Sequence, residues 1–160
     1  MRRTEIFLDS SALFAGIVSP NGAARVLLLL AEAGEVHATV SEQVIAETER
    51  ALARKAPAAL PAYRQAIRQA RLRIVHNPPP EQVAAAQGQV AHPPDVSIVL
   101  AAVRAQIDYL VTLNRKHFID DPTVAQRSGL RIGTPGDALA WVRGQLQQGT
   151  YARTSSSKGM

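Results

Sequence analysis

A chain of 160 residues suffices for one domain with a sizeable core, and 46% hydrophobic against 19% charged residues excludes an intrinsically disordered protein. The longest apolar run, from Val26 to Ala31, is too short to span a bilayer, and the Arg2-Arg3 start lacks the apolar segment of a signal peptide, so a cytoplasmic, non-membrane location is expected. The absence of cysteine excludes disulfides and thiolate metal sites and fits a reducing compartment, while a formal charge of +5, mostly from arginine, favours a polyanionic partner such as nucleic acid.

In chain order, short apolar or β-branched runs predict strands at residues 5–9, 36–40, 72–76, 108–113 and 130–132. Helical patterns fill the intervals. The Leu/Ala-rich residues 23–33 predict one helix, and residues 41–55 predict another behind a Thr39-x-x-Glu42 capping signature. Pro57 and Pro61 punctuate a further helical stretch to Arg71, and helices are expected over 80–89, 96–106 and 135–146. Strands alternating with helices predict an α/β domain with a mainly parallel sheet, whose right-handed crossovers place helices on both faces. The His76-Asn77-Pro78-Pro79-Pro80 run is a stiff connector too short to separate two domains. One domain over residues 1–146 is therefore expected, with a polar tail at 147–160, rich in Thr154-Ser155-Ser156-Ser157, expected to be frayed.

The first predicted strand carries an apolar run straight into Asp9. An unpaired charge facing the interior loses several kcal/mol of solvation, so such a carboxylate needs a cation, a hydrogen-bond cage or solvent. At the C-terminal end of a parallel strand it opens on the usual ligand crevice of an α/β sheet. Asp9 would equally serve as the N-cap of a helix beginning at Ser10. Asn114, just past a later strand, would reach the same sheet edge, although it also suits a turn. Glu47 and Glu49 border opposite sides of the stripe formed by Val44, Thr48, Ala51 and Leu52, and periodicity does not choose between them. Asp95 precedes a strongly helical run, where capping is the default role. All four candidates, Asp9, Glu47, Asp95 and Asn114, offer the hard oxygen donors that Mg²⁺ and Mn²⁺ prefer.

The blocks Leu8-Asp9-Ser10-Ser11-Ala12-Leu13, Val44-Ile45-Ala46-Glu47, Asp95-Val96-Ser97-Ile98-Val99-Leu100-Ala101-Ala102 and Asp108-Tyr109-Leu110-Val111-Thr112-Leu113-Asn114-Arg115-Lys116-His117-Phe118 resemble, in this order, those of the PIN-domain nucleases, including VapC-type toxins. The resemblance spans residues 5–132 and implies a three-layer α/β/α sandwich with a central, mainly parallel sheet. It also implies a metal-dependent ribonuclease site built on three or four acidic residues. Matched motif to motif, Asp9, Glu47 and Asp95 would hold Mg²⁺ or Mn²⁺, with Glu47 favoured over Glu49 and Asp108 structural. Asn114 falls at the fourth catalytic position, where many family members carry Asp; an amide there removes a charge and weakens the hold on a second metal. The implied function is endoribonucleolytic cleavage of RNA by a toxin with a cognate antitoxin. A PIN-like RNA-binding or scaffold domain with weak or lost catalysis is the alternative that Asn114 motivates. An aspartyl phosphotransferase fits poorly, because Ser11 stands where such phosphatases usually carry a second Asp.

Ser11 and Thr112 lie beside these acids and could hydrogen-bond the ligating oxygens, although turn and strand roles serve them equally. Arg115 and Lys116 follow Asn114 directly and are placed to meet phosphate. Arg64, Arg68 and Arg71 recur along a predicted helix and could track an RNA backbone, with a solvated helix face as the simpler account. His92 and His117 have no partner at a metal-binding spacing and are assigned to surface or packing roles. Leu27, Leu28, Leu29, Leu30 and Leu52 exceed what one narrow helical face needs; they would suit a homodimer surface or an antitoxin groove, and buried core is the simpler account.

Overall fold

The run Ile6-Phe7-Leu8 is buried because its strand lies at the centre of a sheet covered on both faces, a setting that selects continuous apolar residues over alternation. In the computed structural model, which describes residues 2–86 and 93–157, the strands are β1 (Thr4–Leu8), β2 (Val36–Ser41), β3 (Arg73–Val75), β4 (Tyr109–Val111) and β5 (Ile132–Gly133). All pairs are parallel, in the order β3-β2-β1-β4-β5. Each predicted strand is present, several of them shorter than the apolar run that announced it.

Helices α1 (Ser10–Val18), α2 (Ala23–Glu32), α3 (Glu42–Lys55) and α4 (Leu60–Gln69) connect β1 to β2 to β3, with a 3₁₀ turn at Pro57–Ala59. The chain then passes back across β1 through α5 (Pro80–Ala85) and α6 (Pro93–Arg104) to β4, and through α7 (Pro122–Ser128) to β5. Because the direction of travel reverses, right-handed crossovers put α1 to α4 on one face and α5 to α7 on the other. The last helix, α8 (Pro135–Ser157), packs against α2 on the first face and completes the α/β/α sandwich. Leu27, Leu28 and Leu52 belong to this core, which leaves Leu29, 46% exposed, as the outward member of the leucine run. Gly16 lets α1 and α2 approach, since a Cβ there would stand 2.7 Å from the Leu28 Cδ1. No helix among the described residues is long and apolar enough to cross a membrane.

Several boundaries differ from the sequence reading for identifiable reasons. The cap of α3 is Ser41, whose Oγ accepts from the Val44 backbone N–H at 3.3 Å, rather than Thr39, which lies inside β2. Helix α6 begins at Pro93, because proline is tolerated in a first helical turn; Asp95 therefore sits inside that turn and is not its cap. Helix α4 ends at Gln69, and Arg71 follows in a left-handed conformation with φ of 51°. Helix α7, which no apolar pattern announces, is signalled by Asp121 at its cap, Pro122 at its first position and Gly129, with φ of 71°, at its end. Helix α8 continues past residue 146 to Ser157, through residues expected to be frayed. The predicted end of the helix over 80–89 and His92 fall outside the described residues.

Thr39 carries a fully buried Oγ1 without a hydrogen-bond partner among the described residues. Replacing it by the near-isosteric Val removes an unsatisfied hydroxyl and improves strand propensity. Thr39→Val is expected to raise unfolding free energy by about 1 kcal/mol in chemical denaturation. A loss of similar size would mean that the hydroxyl is satisfied in solution.

Candidate active site

The parallel order brings the C-terminal ends of β1 and β4 side by side, and a short hydrogen-bond clasp joins them. The Asp9 backbone N–H donates to the Val111 carbonyl at 3.1 Å, and the Leu113 N–H donates to the Ser11 Oγ at 3.0 Å. Between these contacts lies the Asp9 side chain, which is 3% exposed. Its Oδ1 accepts from the Ala12 N–H at 2.9 Å, capping α1, and from the Ser11 Oγ at 2.7 Å. Its Oδ2 accepts from the Thr112 hydroxyl, and Thr112 Oγ1 in turn accepts from the Asn114 N–H at 2.9 Å. The capping role and the site role of Asp9 thus coexist in one side chain, and Ser11 and Thr112 fix the orientation of its carboxylate.

Burial holds the Asp9 carboxyl above its ordinary value of 3.8, with the Asp95 charge acting in the same direction and the bonds from Ser11, Thr112 and Ala12 opposing both. Asp95 enters from the first turn of α6. Its Oδ2 lies 2.9 Å from His117 Nδ1, on a π-helical turn at Arg115–Ile119 that Asn114 caps. A carboxylate only accepts, so Nδ1 carries the proton in this pair, and the approach of Asn114 Nδ2 to the same nitrogen at 3.2 Å is a packing contact. Asn114 Oδ1 accepts from the His117 N–H at 3.2 Å. The amide therefore holds His117, which the sequence reading assigned to a surface or packing role, against Asp95. Nothing in the one-dimensional spacing of Asp95 and His117 announces this pair; only the meeting of α6 with the turn after β4 creates it.

Glu47 and Glu49 are separated by their neighbours. Glu49 Oε1 accepts from the Tyr63 hydroxyl at 3.3 Å, toward α4, whereas Glu47 lines a groove of about 510 Å³ that begins at Ser10 and Ser11. Phe14, Lys55 and the half-exposed Leu113 line the same groove, and Lys55 Nζ stands 5.7 Å above the Phe14 ring. Gln43 Nε2 donates to Glu47 Oε1 at 3.0 Å, and Gln43 Oε1 accepts from the Ser97 hydroxyl, linking Glu47 on α3 to the helix that carries Asp95. Among the described residues, no three His, Asp or Glu side chains form a group that could hold a metal ion. The Asp95 charge acts on Asp9, and Glu47 does not complete a group of three with them. The pair nonetheless fits a hard divalent cation: both supply carboxylate oxygen, and Asp9 is a desolvated carboxylate whose ionised form an adjacent cation would stabilise.

The basic candidates divide between two regions. Arg115 and Lys116 are exposed directly after Asn114, with Arg115 3.6 Å from Asp120. Arg64 and Arg68 are exposed on α4, and Arg71, beyond the helix end, lines a cavity with Arg3 and Arg73 at the opposite, N-terminal edge of the strands. Arg71 consequently does not continue one face with the other two.

A family model described as PIN domain matches residues 5–116. Among solved structures, the chain is similar to PAE2754 from Pyrobaculum aerophilum, with a TM-score of 0.56 and 18% identity over 88% of this chain and 96% of that one. It is similar also to VapBC2 from Rickettsia felis, solved bound to a DNA fragment from its promoter, with a TM-score of 0.56 and 19% identity over 82% of this chain and 98% of that one. No curated protein sequence matches the chain. At these identities the solved structures carry the fold, and the match to the family model carries membership.

The raised Asp9 pKa has a stability consequence in metal-free protein. The folded state binds this proton more tightly than the unfolded chain, so the stabilisation is complete below pH 3.8 and is lost as pH rises through the elevated folded value. Asp9→Asn keeps an oxygen for the Ala12 cap and removes the titration. With EDTA present, thermal melts are expected to show wild type losing stability with rising pH more steeply than the variant, which is the more stable of the two at pH 8. Parallel curves would show that Asp9 is not desolvated in solution.

Proposed function

Because the chain belongs to the PIN-domain family, we propose that it is a metal-dependent endoribonuclease that hydrolyses RNA phosphodiester bonds, acting as the toxin of a toxin–antitoxin pair. The observation that carries this reading is the buried Asp9 carboxylate, fixed by three hydrogen bonds at the C-terminal edge of the sheet with Asp95 close enough to raise its pKa. The likeness to VapBC2 supports an antitoxin partner.

In this proposal Asp9 and Asp95 would hold Mg²⁺ or Mn²⁺, with Glu47, on the groove side, as the further acidic residue of the site. When bound, the ion lowers the pKa of a coordinated water and neutralises charge on the phosphate. The chain's own residues orient and confine. Ser11 and Thr112 lock the Asp9 carboxylate in one rotamer, and His117, held by Asn114, locks Asp95. The groove beside Ser10 and Ser11, which Lys55 lines, would receive the strand, and the exposed Arg115 and Lys116 beyond Asn114 would supply further cations. Cytoplasmic action on RNA suits the net charge of +5.

A second reading, an RNA-binding or scaffold module with weak or lost catalysis, is favoured by two features: among the described residues no three acidic or imidazole side chains form a metal-holding group, and the Asn114 amide is engaged as a cap. Cleavage of single-stranded RNA in Mn²⁺ separates the readings. Asp95→Ala is expected to lower the rate by roughly a hundredfold or more. Identical residual cleavage in variant and wild type would identify a contaminant and leave the binding module. In melts, Mn²⁺ is expected to raise the Tm of wild type and to leave Asp9→Asn largely unshifted; equal shifts would remove Asp9 from the metal site.

A further inference from the structure

The end of the sheet opposite the acids is basic and hollow. Strand β3 pairs with β2 only from Thr39 onward, so the preceding residues Val36, His37 and Ala38 have β1 alone beside them, and a cavity of about 250 Å³ opens at this edge. Arg3, Arg71 and Arg73 line it. The register puts Glu5 beside His37 and Thr39 beside Arg73, and alternation along β2 brings all four side chains to one face.

The cations here are positioned by the fold. Arg3 Nη1 stands 3.1 Å from His37 Nε2, Arg73 Nη2 donates to the Ala105 carbonyl at 2.8 Å, and Arg71 is delivered by a left-handed residue, φ 51°, a conformation disfavoured for a side chain with Cβ. Glu5 supplies the opposing charge and lies 3.7 Å from His37 Nδ1. Beneath the cavity wall, the buried Thr39 Oγ1 has no partner among the described residues. Three guanidinium groups against one carboxylate leave an excess of positive charge around a small cavity that is open to solvent on the arginine side.

We propose that this cavity binds an anion the size of phosphate or pyrophosphate. Planar guanidinium groups match tetrahedral phosphate oxygens through paired donors, as ammonium groups do not. The volume is below the roughly 300–1,000 Å³ of pockets that take whole cofactor-sized ligands, which favours an occupant no larger than pyrophosphate. Strand β1 alone separates this edge from Asp9 by roughly 15 Å, so the site is distinct from the one that would hold a scissile phosphate.

The test titrates the full chain with sodium pyrophosphate in EDTA, so that no metal at Asp9 and Asp95 can recruit the anion, with KCl at matched ionic strength as reference. Pyrophosphate is expected to raise the wild-type Tm beyond the KCl reference. Arg71→Gly, which retains the left-handed backbone without strain, is expected to lower pyrophosphate affinity at least tenfold by calorimetry, while Arg64→Gln, outside the cavity, binds as wild type does. No shift beyond KCl would overturn the proposal, as would unchanged affinity in Arg71→Gly. Equal weakening by Arg64→Gln would assign the effect to diffuse charge, and displacement of pyrophosphate by single-stranded RNA would assign it to a nucleic-acid surface; either result also overturns it.

Discussion

Keeping the Asp9 carboxylate buried at the end of the central strand is the constraint around which this fold is arranged. Its solvation is replaced by one backbone N–H and two hydroxyls, supplied by the first turn of α1 and by the residue after β4. The Thr112 bond exists only because β1 and β4 are adjacent, an arrangement in which the Asp9 N–H also reaches Val111 and the Leu113 N–H reaches Ser11, while the Ser11 and Ala12 bonds are local to the start of α1. The helix start, the strand pairing and the acid are therefore one cooperative unit. The bonds do not fully offset burial, since the carboxyl remains above its ordinary value, and that residual cost is what a cation would relieve.

Much of this was legible in the sequence because the relevant signals are local. The apolar run before Asp9 and the alternation of strands with helices fix the sheet, and the order of the four motif blocks resembles the PIN domain to which the family match assigns the chain. Features that depend on tertiary neighbours were not legible. The residues themselves leave Glu47 and Glu49 equivalent, with only the resemblance favouring Glu47, because Tyr63 meeting Glu49 from α4 and the groove at Ser11 beside Glu47 arise from tertiary packing. His117 meets Asp95 only when α6 and the turn after β4 are assembled, although the residues are 22 positions apart. Thr39 looked like a cap because a Thr-x-x-Glu pattern cannot reveal that the strand persists to Ser41. Arg71 looked like a helix-face residue because nothing local betrays a left-handed turn at a non-glycine position.

The two ends of the sheet carry different charged groups. Asp9, Asp95 and Glu47 lie at the C-terminal edge, while Arg3, Arg71 and Arg73 line a cavity with Glu5 at the N-terminal edge. Lys55 is the one cation among the described residues that lines the groove, and Arg115, which follows Asn114, already lies near Asp120. Positioning by hydrogen bonds through Ser11, Thr112, Gln43 and His117, more than charge density, distinguishes this edge.

Under the proposed function, Asp9 and Asp95 together hold a divalent cation. Crystals grown with Mn²⁺ and measured near the manganese absorption edge would reveal it. The expected result is an anomalous peak within coordination distance of one oxygen from each carboxylate. A well-ordered site with both carboxylates in place and no peak, or manganese bound only elsewhere, would contradict it.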